Sequence, residues 1–397
     1  MTDLAGKYTL CINCGSSSLK FSLSHISSCV LEFAGHINRV GEKEASFKIS
    51  DASGLVLENR AMNCPDLATA VKALILWLTK RKDQFPLFAI GHRLVQGGPD
   101  HLQPELITPK LLIDLKEYID LAPNHLPDEI STIHAFGSAY PEARQVACFD
   151  THFHRDMPAF VKKYPLPAEY QGKGLLKYGF HGLSYNYIMD ELAARDPQVL
   201  TQKIVIAHLG NGASMAAVHR GTGIDTTMGV SPIGGLVMGT RSGDLDPGVL
   251  FYLLKQYQIT PAGLEELLSK HSGLLGLSGT SDVQELIRQE AKNKTAATAL
   301  QVFCYSAKKH IGSLAAALEG LDMLVFTGGI GENSALIRES ICRGLDFMGI
   351  TLHDQKNLNN ELTISNDKSR VTVHVIKTNE ELMMARLVRA ALHELKT

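Results

Sequence analysis

Three glycine-rich turns carry the residue types that hold phosphate groups in proteins. They read Asn-Cys-Gly-Ser-Ser-Ser-Leu-Lys at 13–20, His-Leu-Gly-Asn-Gly-Ala-Ser at 208–214 and Phe-Thr-Gly-Gly-Ile-Gly-Glu-Asn-Ser at 326–334. Glycine lets the backbone approach a ligand closely, and exposed N–H groups, hydroxyls and a lysine suit an anion. The chain contains neither the Rossmann glycine spacing nor the P-loop motif. Each turn alone is also compatible with a polar loop, but the three together favour a nucleotide enzyme.

Two arginines and a histidine lie close to glycines, where flexible backbone lets a charged side chain meet a ligand. Arg93 lies in Gly-His-Arg-Leu-Val-Gln-Gly-Gly, Arg241 in Met-Gly-Thr-Arg-Ser-Gly-Asp, and His181 in Tyr-Gly-Phe-His-Gly. The planar fork of arginine grips a carboxylate or a transferring phosphoryl group. An arginine in such a segment can equally be a solvated loop residue.

Two short segments contain possible metal ligands. Cys11 and Cys14 have Cys-x-x-Cys spacing, but no second pair follows and both lie at a predicted strand. Asp150, His152 and His154 would share one face of an extended segment and could form a metal triad. Polar residues at a strand end are the favoured interpretation of this second segment.

Length and composition exclude several classes of protein. The chain has 397 residues, of which 45% are hydrophobic and 20% charged, as in globular proteins, and this length predicts two domains. A formal charge of −2 provides no basic field for nucleic acid or an anionic membrane. No apolar run approaches about 18 residues, the seven scattered cysteines do not suggest disulfides, and the first residues do not resemble a signal peptide. These features predict a cytoplasmic protein.

The candidate residues lie between short apolar strands and amphipathic helices, which predicts an α/β fold. Strands are predicted at 8–13, 19–25, 30–35, 88–92, 145–149, 204–208, 214–219, 323–327 and 371–376. Helices are predicted at 66–80, 109–120, 184–195, 261–270, 296–318 and 380–395.

One internal similarity suggests a duplicated domain. Residues 9–20 and 204–215 each read as a strand, a tight glycine turn with small polar residues, and a second strand. Gly15 and Gly210, at the centres of these turns, lie about half the chain apart. This spacing predicts two related halves, each presenting one turn to a cleft. Coincidence is the alternative, because strand–glycine–strand hairpins are common.

Eight segments together resemble the acetate kinase family. In chain order they are Asn-Cys-Gly-Ser-Ser-Ser-Leu-Lys at 13–20, Gly-His-Arg at 91–93, Phe-Asp-Thr at 149–151, Tyr-Gly-Phe-His-Gly at 178–182, His-Leu-Gly-Asn-Gly at 208–212, Met-Gly-Thr-Arg-Ser-Gly-Asp at 238–244, Phe-Thr-Gly-Gly-Ile-Gly-Glu-Asn at 326–333 and Thr-Asn-Glu-Glu at 378–381. The resemblance implies an α/β fold of two duplicated ribonuclease-H-like (actin-like ATPase) domains with an interdomain nucleotide cleft. We expect an N-terminal domain at 1–150, a C-terminal nucleotide-binding domain at 151–379, and a C-terminal helix at 380–397 that packs back on the first domain.

The same resemblance implies ATP as co-substrate, Mg²⁺ or Mn²⁺ as metal, and a homodimer. It assigns Asn13 and Glu380 to the metal and Arg93 to the substrate carboxylate. The catalytic centre would comprise Arg93, Asp150, His181 and Arg241. The substrate pocket would be lined by Val95, Asn124, Phe180 and Pro232. The nucleotide would be bound by Ser16, Ser18, Lys20, His208, Leu209, Gly210, Asn211, Gly212, Asp282, Val283, Gln284, Gly329, Ile330, Gly331, Glu332 and Asn333.

The implied reaction is reversible, ATP-dependent phosphorylation of a short-chain carboxylate, acetate first, to an acyl phosphate and ADP. A carboxylate is ionised at pH 7, so its attack on the γ-phosphorus needs no strong general base. It needs neutralisation of the charge that spreads over the phosphoryl oxygens. We therefore expect Asp150 to orient an arginine or a metal-bound water, although the family counts it as catalytic.

Six positions depart from what the family usually has. They are Gln96 and Tyr185 in place of histidine, Leu183 in place of threonine, Gly234 in place of glutamate, Gln284 in place of arginine and Asn124 in place of leucine. Val95 is a wall of moderate size and favours the two-carbon acid. The departures leave open propionate, butyrate or a more polar acid as substrate, and also a nucleotide-binding paralogue with weakened catalysis.

Overall fold

Two β-sheets organise the chain, and their strands coincide with the apolar runs of the sequence. The computed structural model describes residues 6–15, 17–171 and 174–394, and its class is mixed α/β, as predicted. All nine predicted strands and all six predicted helices are present, with small shifts at their ends. The chain divides into two units, residues 1–152 with 379–397 and residues 153–378. In the described part of the chain, no helix is both long and apolar enough to cross a membrane.

The strands and helices alternate along the chain. The strands are β1 (Tyr8–Gly15), β2 (Ser18–His25), β3 (Leu31–Asn38), β4 (Glu42–Asp51), β5 (Val56–Cys64), β6 (Leu87–Leu94), β7 (Glu105–Leu106), β8 (Arg144–Phe149), β9 (Lys203–Leu209), β10 (Ala213–His219), β11 (Thr222–Thr226), β12 (Met323–Thr327) and β13 (Thr372–Val375). The α-helices are α1 (Leu67–Thr79), α2 (Pro109–Glu117), α3 (Leu126–Ala139), α4 (Gly182–Arg195), α5 (Pro247–Gln256), α6 (Pro261–Lys270), α7 (Gly273–Ser278), α8 (Val283–Gln289), α9 (Lys294–Ala317), α10 (Gly328–Asn333), α11 (Ala335–Cys342), α12 (Asp354–Leu358) and α13 (Glu380–Glu394).

The first unit is built on a sheet of order β5-β4-β3-β2-β1-β6-β8-β7. Strands β1 to β5 form an antiparallel meander, and β1, β6 and β8 run parallel to one another. Helix α13 packs on these three parallel strands. Its approach to β6 depends on Gly91, where an added Cβ would lie 2.6 Å from Cγ2 of Val388. The apolar core includes Phe33, Trp77 and Phe85, whose rings pack edge to face.

The second unit repeats this topology in a sheet of order β11-β10-β9-β12-β13. Strands β9 to β11 form an antiparallel meander, and β9, β12 and β13 run parallel. The turns after β1 and after β9 therefore occupy the same topological position, between the first and second strands of a meander. This shared strand order confirms the predicted duplication and makes coincidence an inadequate explanation.

The sequence failed to predict four strands and seven helices. Strand β4 was missed because half of its residues are charged, although Ala45, Phe47 and Ile49 alternate as its buried face. The possible metal triad of Asp150, His152 and His154 would need an extended segment, but residues 152–154 form one turn of 3₁₀-helix. The three side chains have separate partners: Arg93, the carbonyl of Leu102 and the carbonyl of Phe180.

The cysteines are buried and form no disulfides among the described residues. All seven are buried free thiols. Cys14 donates its S–H to Oγ1 of Thr132, and burial raises the pKa of Cys14 to about 12. Over residues 6–15, 17–171 and 174–394, no three His, Cys, Asp or Glu side chains are grouped to hold a metal ion.

Candidate active site

Strand ends in the first unit bring together an arginine, an aspartate and an asparagine. Asn13 lies near the end of β1, Arg93 near the end of β6, and Asp150 directly after β8. Carboxyl ends of neighbouring parallel strands meet at one edge of a sheet. Arg93 donates from Nε to Oδ1 of Asp150 at 2.9 Å and from Nη2 to Oδ2 at 2.5 Å, and its Nη1 donates to Oδ1 of Asn13 at 2.8 Å. Both carboxylate oxygens of Asp150 thus accept from the guanidinium of Arg93.

Burial strengthens this ion pair. The side chain of Asp150 is 2% exposed and that of Arg93 is 17% exposed. Burial acts to lower the pKa of the Arg93 guanidinium, but the charge and hydrogen bonds of Asp150 outweigh it, so that the pKa is raised. Arg93 is therefore a permanent cation, with Glu380 and Glu129 also acting on it through their charges.

Glu380 is the first residue of α13 and is partly buried. Burial raises the pKa of its carboxyl group to about 7, the charge of Arg93 opposes this rise, and the charge of Asp150 adds to it. Lys20 also lowers the pKa of Glu380. Lys20 is exposed and pairs with Asn13 across the β1–β2 hairpin.

Glu129 belongs to the same charged cluster and was not predicted. Its side chain is buried in the first turn of α3, and its two carboxyl oxygens accept from the N–H of Val95 at 3.3 and 3.2 Å. Burial raises the pKa of Glu129 to about 8, while the charge of Arg93 opposes the rise. No helix was predicted at 126–139, so nothing in the sequence singled out Glu129, and an acid in a helix first turn is usually a stabilising surface feature.

The predicted substrate-pocket residues divide between the two units. In the first unit Val95 is buried, whereas Asn124 is exposed. In the second unit Phe180 is buried and Pro232 is partly buried. Because the amide of Asn124 is exposed to solvent, it needs no buried partner.

A histidine and an arginine meet beside a glycine in the second unit. His181 precedes α4 with a left-handed backbone (φ 58°), which is uncommon for a residue other than glycine. A Cβ added at Gly212 would lie 3.3 Å from Nε2 of His181 and 3.5 Å from Nη1 of Arg241. The ring of His181 stacks on that of His208, with centroids 4.3 Å apart. Arg241 donates from Nη1 to the carbonyl of Pro232 at 3.1 Å.

Behind His181 lies a pair of buried hydroxyl groups. Nδ1 of His181 is 2.8 Å from Oγ of Ser214, and Oγ of Ser214 is 2.5 Å from the hydroxyl of Tyr185. Nδ1 of His208 lies 2.9 Å from Oγ of Ser184. Both histidines thus have a serine on one ring nitrogen.

A cavity of about 690 Å³ in the second unit gathers many of the predicted nucleotide residues. Those that line it are Gly210, Asn211, Asp282, Val283, Gln284, Gly329, Ile330 and Asn333. The cavity also includes Gly239, Ile287 and Arg288, which the sequence did not indicate. Such a volume is typical of a small-molecule site.

Two of the predicted nucleotide residues have a structural role. Asp282, which lines the cavity, also caps α8 by accepting from the N–H groups of Gln284 and Glu285. Oε1 of Glu332 accepts from the N–H groups of Gly328 at 2.9 Å and Thr378 at 3.0 Å, so this oxygen links two backbone segments of the second unit.

The remaining predicted nucleotide residues have these positions. Leu209 and Gly331 are buried. His208 stacks on His181, and Gly212 lies beside His181 and Arg241. Ser18 and Lys20 are both in the first unit, where Ser18 is partly buried and Lys20 is exposed. Ser16 lies outside the described residues.

Departures from the family pattern differ in their surroundings. Tyr185 and Leu183 are buried in α4. Oε1 of Gln96 accepts from the N–H groups of Gly97 and Gly98, and its buried Nε2 has no hydrogen-bond partner among the described residues. A Cβ at Gly234 would meet Oδ1 of Asp244 at 3.2 Å.

Comparison with known proteins identifies the family of the chain. The sequence model of the Acetokinase family matches residues 8–386. The chain is 41% identical over 388 residues to an acetate kinase of Bacillus cereus, covering 95% of this chain and 97% of that one. It is 40% identical over 390 residues to an acetate kinase of Treponema denticola, covering 95% and 98%.

Solved structures resemble it equally over their whole length. Porphyromonas gingivalis acetate kinase has a TM-score of 0.86 and 36% identity, covering 97% of this chain and 100% of that one. A propionate kinase from Francisella tularensis has a TM-score of 0.91 and 36% identity, covering 97% and 99%. Sequence model, relatives and structures thus agree on one family, and the chain belongs to the acetokinase family of phosphotransferases with a carboxyl group as acceptor.

Proposed function

We propose that this protein phosphorylates a short-chain carboxylate, most simply acetate, with ATP, to give an acyl phosphate and ADP in a reversible reaction. The observation that carries the proposal is the Arg93–Asp150 pair, a rigid guanidinium at a strand end, in a chain of the acetokinase family. A guanidinium held in this way suits the planar carboxylate of a small acid.

In the proposed reaction a carboxylate oxygen attacks the γ-phosphorus of ATP in line, and the bond to the β,γ-bridging oxygen breaks. ADP leaves with the electron pair of that bond, and no proton has to move. Arg93 binds the carboxylate, and Arg241 and His181 donate to the transferring phosphoryl group. The close approach of Arg241 and His181 to Gly212 supports a shared role at one oxyanion.

Asp150 acts in this proposal through Arg93 rather than as a base. Two of its hydrogen bonds are already used by the guanidinium, and a carboxylate substrate has no proton to remove at pH 7.

Asn13 and Glu380 fit a divalent metal, Mg²⁺ or Mn²⁺. Both offer oxygen atoms, the ligands that Mg²⁺ prefers, and Mg²⁺ usually takes one or two protein carboxylates together with phosphate oxygens and water. Burial raises the pKa of Glu380 to about 7, and a cation bound beside it would favour the ionised carboxylate. When bound, the metal would neutralise charge on the phosphates of ATP.

The nucleotide belongs, in this proposal, to the cavity of about 690 Å³ in the second unit. We assign residues 1–150, with the helix 380–397, as the ribonuclease-H-like domain that binds the substrate carboxylate through Arg93. Residues 151–379 are assigned as the nucleotide-binding domain. A cytoplasmic homodimer that binds neither nucleic acid nor membrane completes the proposal. The small net charge and the family membership support this assignment.

Trapping with hydroxylamine tests the activity. Purified protein, ATP, Mg²⁺ and a panel of short carboxylates should yield an acyl hydroxamate, and the Arg241→Ala variant should yield far less. If no acid in the panel gives a hydroxamate from folded wild-type protein, the assignment is wrong. Nucleotide binding without transfer in either direction would favour a binding paralogue.

Propionate is the second candidate substrate, because one similar solved structure is a propionate kinase. Val95 is buried and lies two positions after Arg93 in the sequence. It favours the shorter acid, because a smaller side chain at this position would leave room for an acid with a longer alkyl group. Values of kcat/KM for acetate, propionate and butyrate decide between them. A preference for propionate or butyrate over acetate would contradict this interpretation of Val95.

A further inference from the structure

A chain of two hydroxyl groups ends on Nδ1 of His181. The hydroxyl of Tyr185 lies 2.5 Å from Oγ of Ser214, which lies 2.8 Å from Nδ1. Tyr185 is one helical turn after His181 on α4, and Ser214 follows the first residue of β10. Tyr185 and Ser214 are both fully buried, so water does not compete for these hydrogen bonds.

The number of protons in the chain decides its direction. Each hydroxyl has one proton to donate, and a buried hydroxyl proton without an acceptor costs free energy. Burial raises the pKa of Tyr185 well above its usual value, so its phenol stays protonated. Among the described residues, Ser214 is the only hydrogen-bond partner of the Tyr185 hydroxyl. Tyr185 therefore donates to Ser214, and Ser214 is left to donate its own proton to His181.

We infer that Tyr185 and Ser214 are positioning residues that hold His181 as the neutral tautomer with its proton on Nε2. Nδ1 can accept from Ser214 only when it carries no proton. With a proton on Nδ1, one of the two buried hydroxyl protons, that of Tyr185 or that of Ser214, would have no acceptor in this chain. The chain thus opposes both the other tautomer and the imidazolium ion.

The charge of Arg241 acts in the same direction. His208 stacks on its ring with centroids 4.3 Å apart, and the guanidinium of Arg241 is beside it at Gly212. A positive charge on His181 would face the Arg241 cation, which also favours the neutral ring.

The consequence for the reaction rests on the proposed function. Nε2 of His181 faces the space beside Gly212 that Nη1 of Arg241 also borders. A fixed Nε2–H would donate to a phosphoryl oxygen there without a change of tautomer during the reaction. In this chain Tyr185 stands where the family usually has histidine, so the tyrosine hydroxyl supplies the hydrogen bond that orders Ser214.

Nitrogen NMR of the full-length protein labelled with ¹⁵N-histidine tests the tautomer directly, without ligands and without activity. His181 is assigned by loss of its signals in His181→Gln. We expect wild-type His181 to show an unprotonated Nδ1 and a protonated Nε2 between about pH 6 and pH 8. A protonated Nδ1 in this range would overturn the inference.

Tyr185→Phe removes the hydroxyl and keeps the ring. Ser214 can then accept from His181, so we expect protonated Nδ1 to appear and kcat to fall roughly tenfold or more, with little change in the KM of ATP or of the acid. Ser214→Ala should lower kcat in the same way. Tyr140→Phe, which removes a phenol hydroxyl bonded to Thr79 in the first unit, is the matched control and should change neither readout.

The NMR and kinetic readouts separate the two proposals. An Nε2–H tautomer that is lost in Tyr185→Phe supports the inference even if the wild type forms no acyl phosphate, in which case only the proposed function fails. An unchanged tautomer in both Tyr185→Phe and Ser214→Ala refutes the inference even if acyl phosphate is formed.

Discussion

The Asp150→Asn substitution separates a carboxylate that positions Arg93 from one that takes a proton. The structure gives Asp150 two hydrogen bonds from the guanidinium, at 2.9 Å from Nε and 2.5 Å from Nη2. Asparagine keeps the shape and one acceptor oxygen but directs an NH₂ group at one of these donors. We therefore expect the guanidinium to leave its present orientation.

The size of the effect follows from the burial of the pair. Breaking a buried ion pair on one side costs about 3–5 kcal/mol of stability. Glu129 and Glu380 also act on Arg93 through their charges, so we expect about 3 kcal/mol, the lower end of this range. A guanidinium misplaced by about 1 Å lowers kcat/KM about 10²-fold, equivalent to about 2.7 kcal/mol, and the loss should fall mainly on the KM of the acid.

A double-mutant cycle with Arg93→Ala is the assay. If Asp150 acts through Arg93, adding Asp150→Asn to Arg93→Ala should change kcat/KM by no more than a factor of about 2. Asp225→Asn, which breaks the 2.8 Å pair with Lys177 in the second unit, is the control for loss of an ion pair. An equal loss of kcat from Asp150→Asn with and without Arg93 would show that the carboxylate acts directly on the reaction and refute the positioning role.

Two further predictions concern the other charged residues. Arg93→Ala should mainly raise the KM of the acid and Arg241→Ala should mainly lower kcat, each costing about 10²–10⁴-fold in kcat/KM, because the first meets the ground-state carboxylate and the second the developing phosphoryl charge. Lysine at either position should rescue poorly, and near-native kcat in folded Arg241→Ala would mean that the catalytic centre lies on another loop. Glu129→Gln should raise Tm at about pH 9 more than at about pH 5, since burial raises the pKa of Glu129 to about 8. Between about pH 4.3 and about pH 8, Glu129 is ionised in the unfolded chain but still protonated in the folded chain, so its contribution to the free energy of unfolding falls as the pH rises. A difference in Tm between Glu129→Gln and wild type that does not depend on pH would contradict this.

Sequence patterns were sufficient where a strand end determines the position of a residue. Each predicted glycine turn follows a predicted strand, and parallel neighbours place their carboxyl ends at one edge. For this reason the meeting of Arg93 and Asp150, more than 50 residues apart in sequence, could be expected once β6 and β8 were recognised as strands. The roles of these residues in binding and catalysis stay predictions.

Side-chain contacts between distant elements could not be read in this way. Glu129 has the pattern of an ordinary helix first turn, and only the packing of α3 against β6 buries it beside Val95. Ser214 reads as a small residue at a strand start, and its position between His181 and Tyr185 depends on how β10 meets α4. The hydrogen bonds of Glu332 to the backbone of Gly328 and Thr378 could not be read from its glycine-rich motif either.

The two sheets use the same edge for different purposes. In the first unit, the ends of the parallel strands β1, β6 and β8 place Asn13, Arg93 and Asp150 in one charged cluster. In the second unit, Glu332 accepts from the N–H groups of Gly328, after β12, and Thr378, after β13, and so closes the corresponding edge as a structural link. The two units therefore share one topology but use the corresponding strand ends differently. The strand ends of the first unit carry charged side chains, whereas those of the second unit are linked through the carboxylate of Glu332. The glycine turns of the second unit border the cavity of about 690 Å³. The corresponding turn of the first unit begins at Asn13, which accepts from Arg93 of the Arg93–Asp150 ion pair.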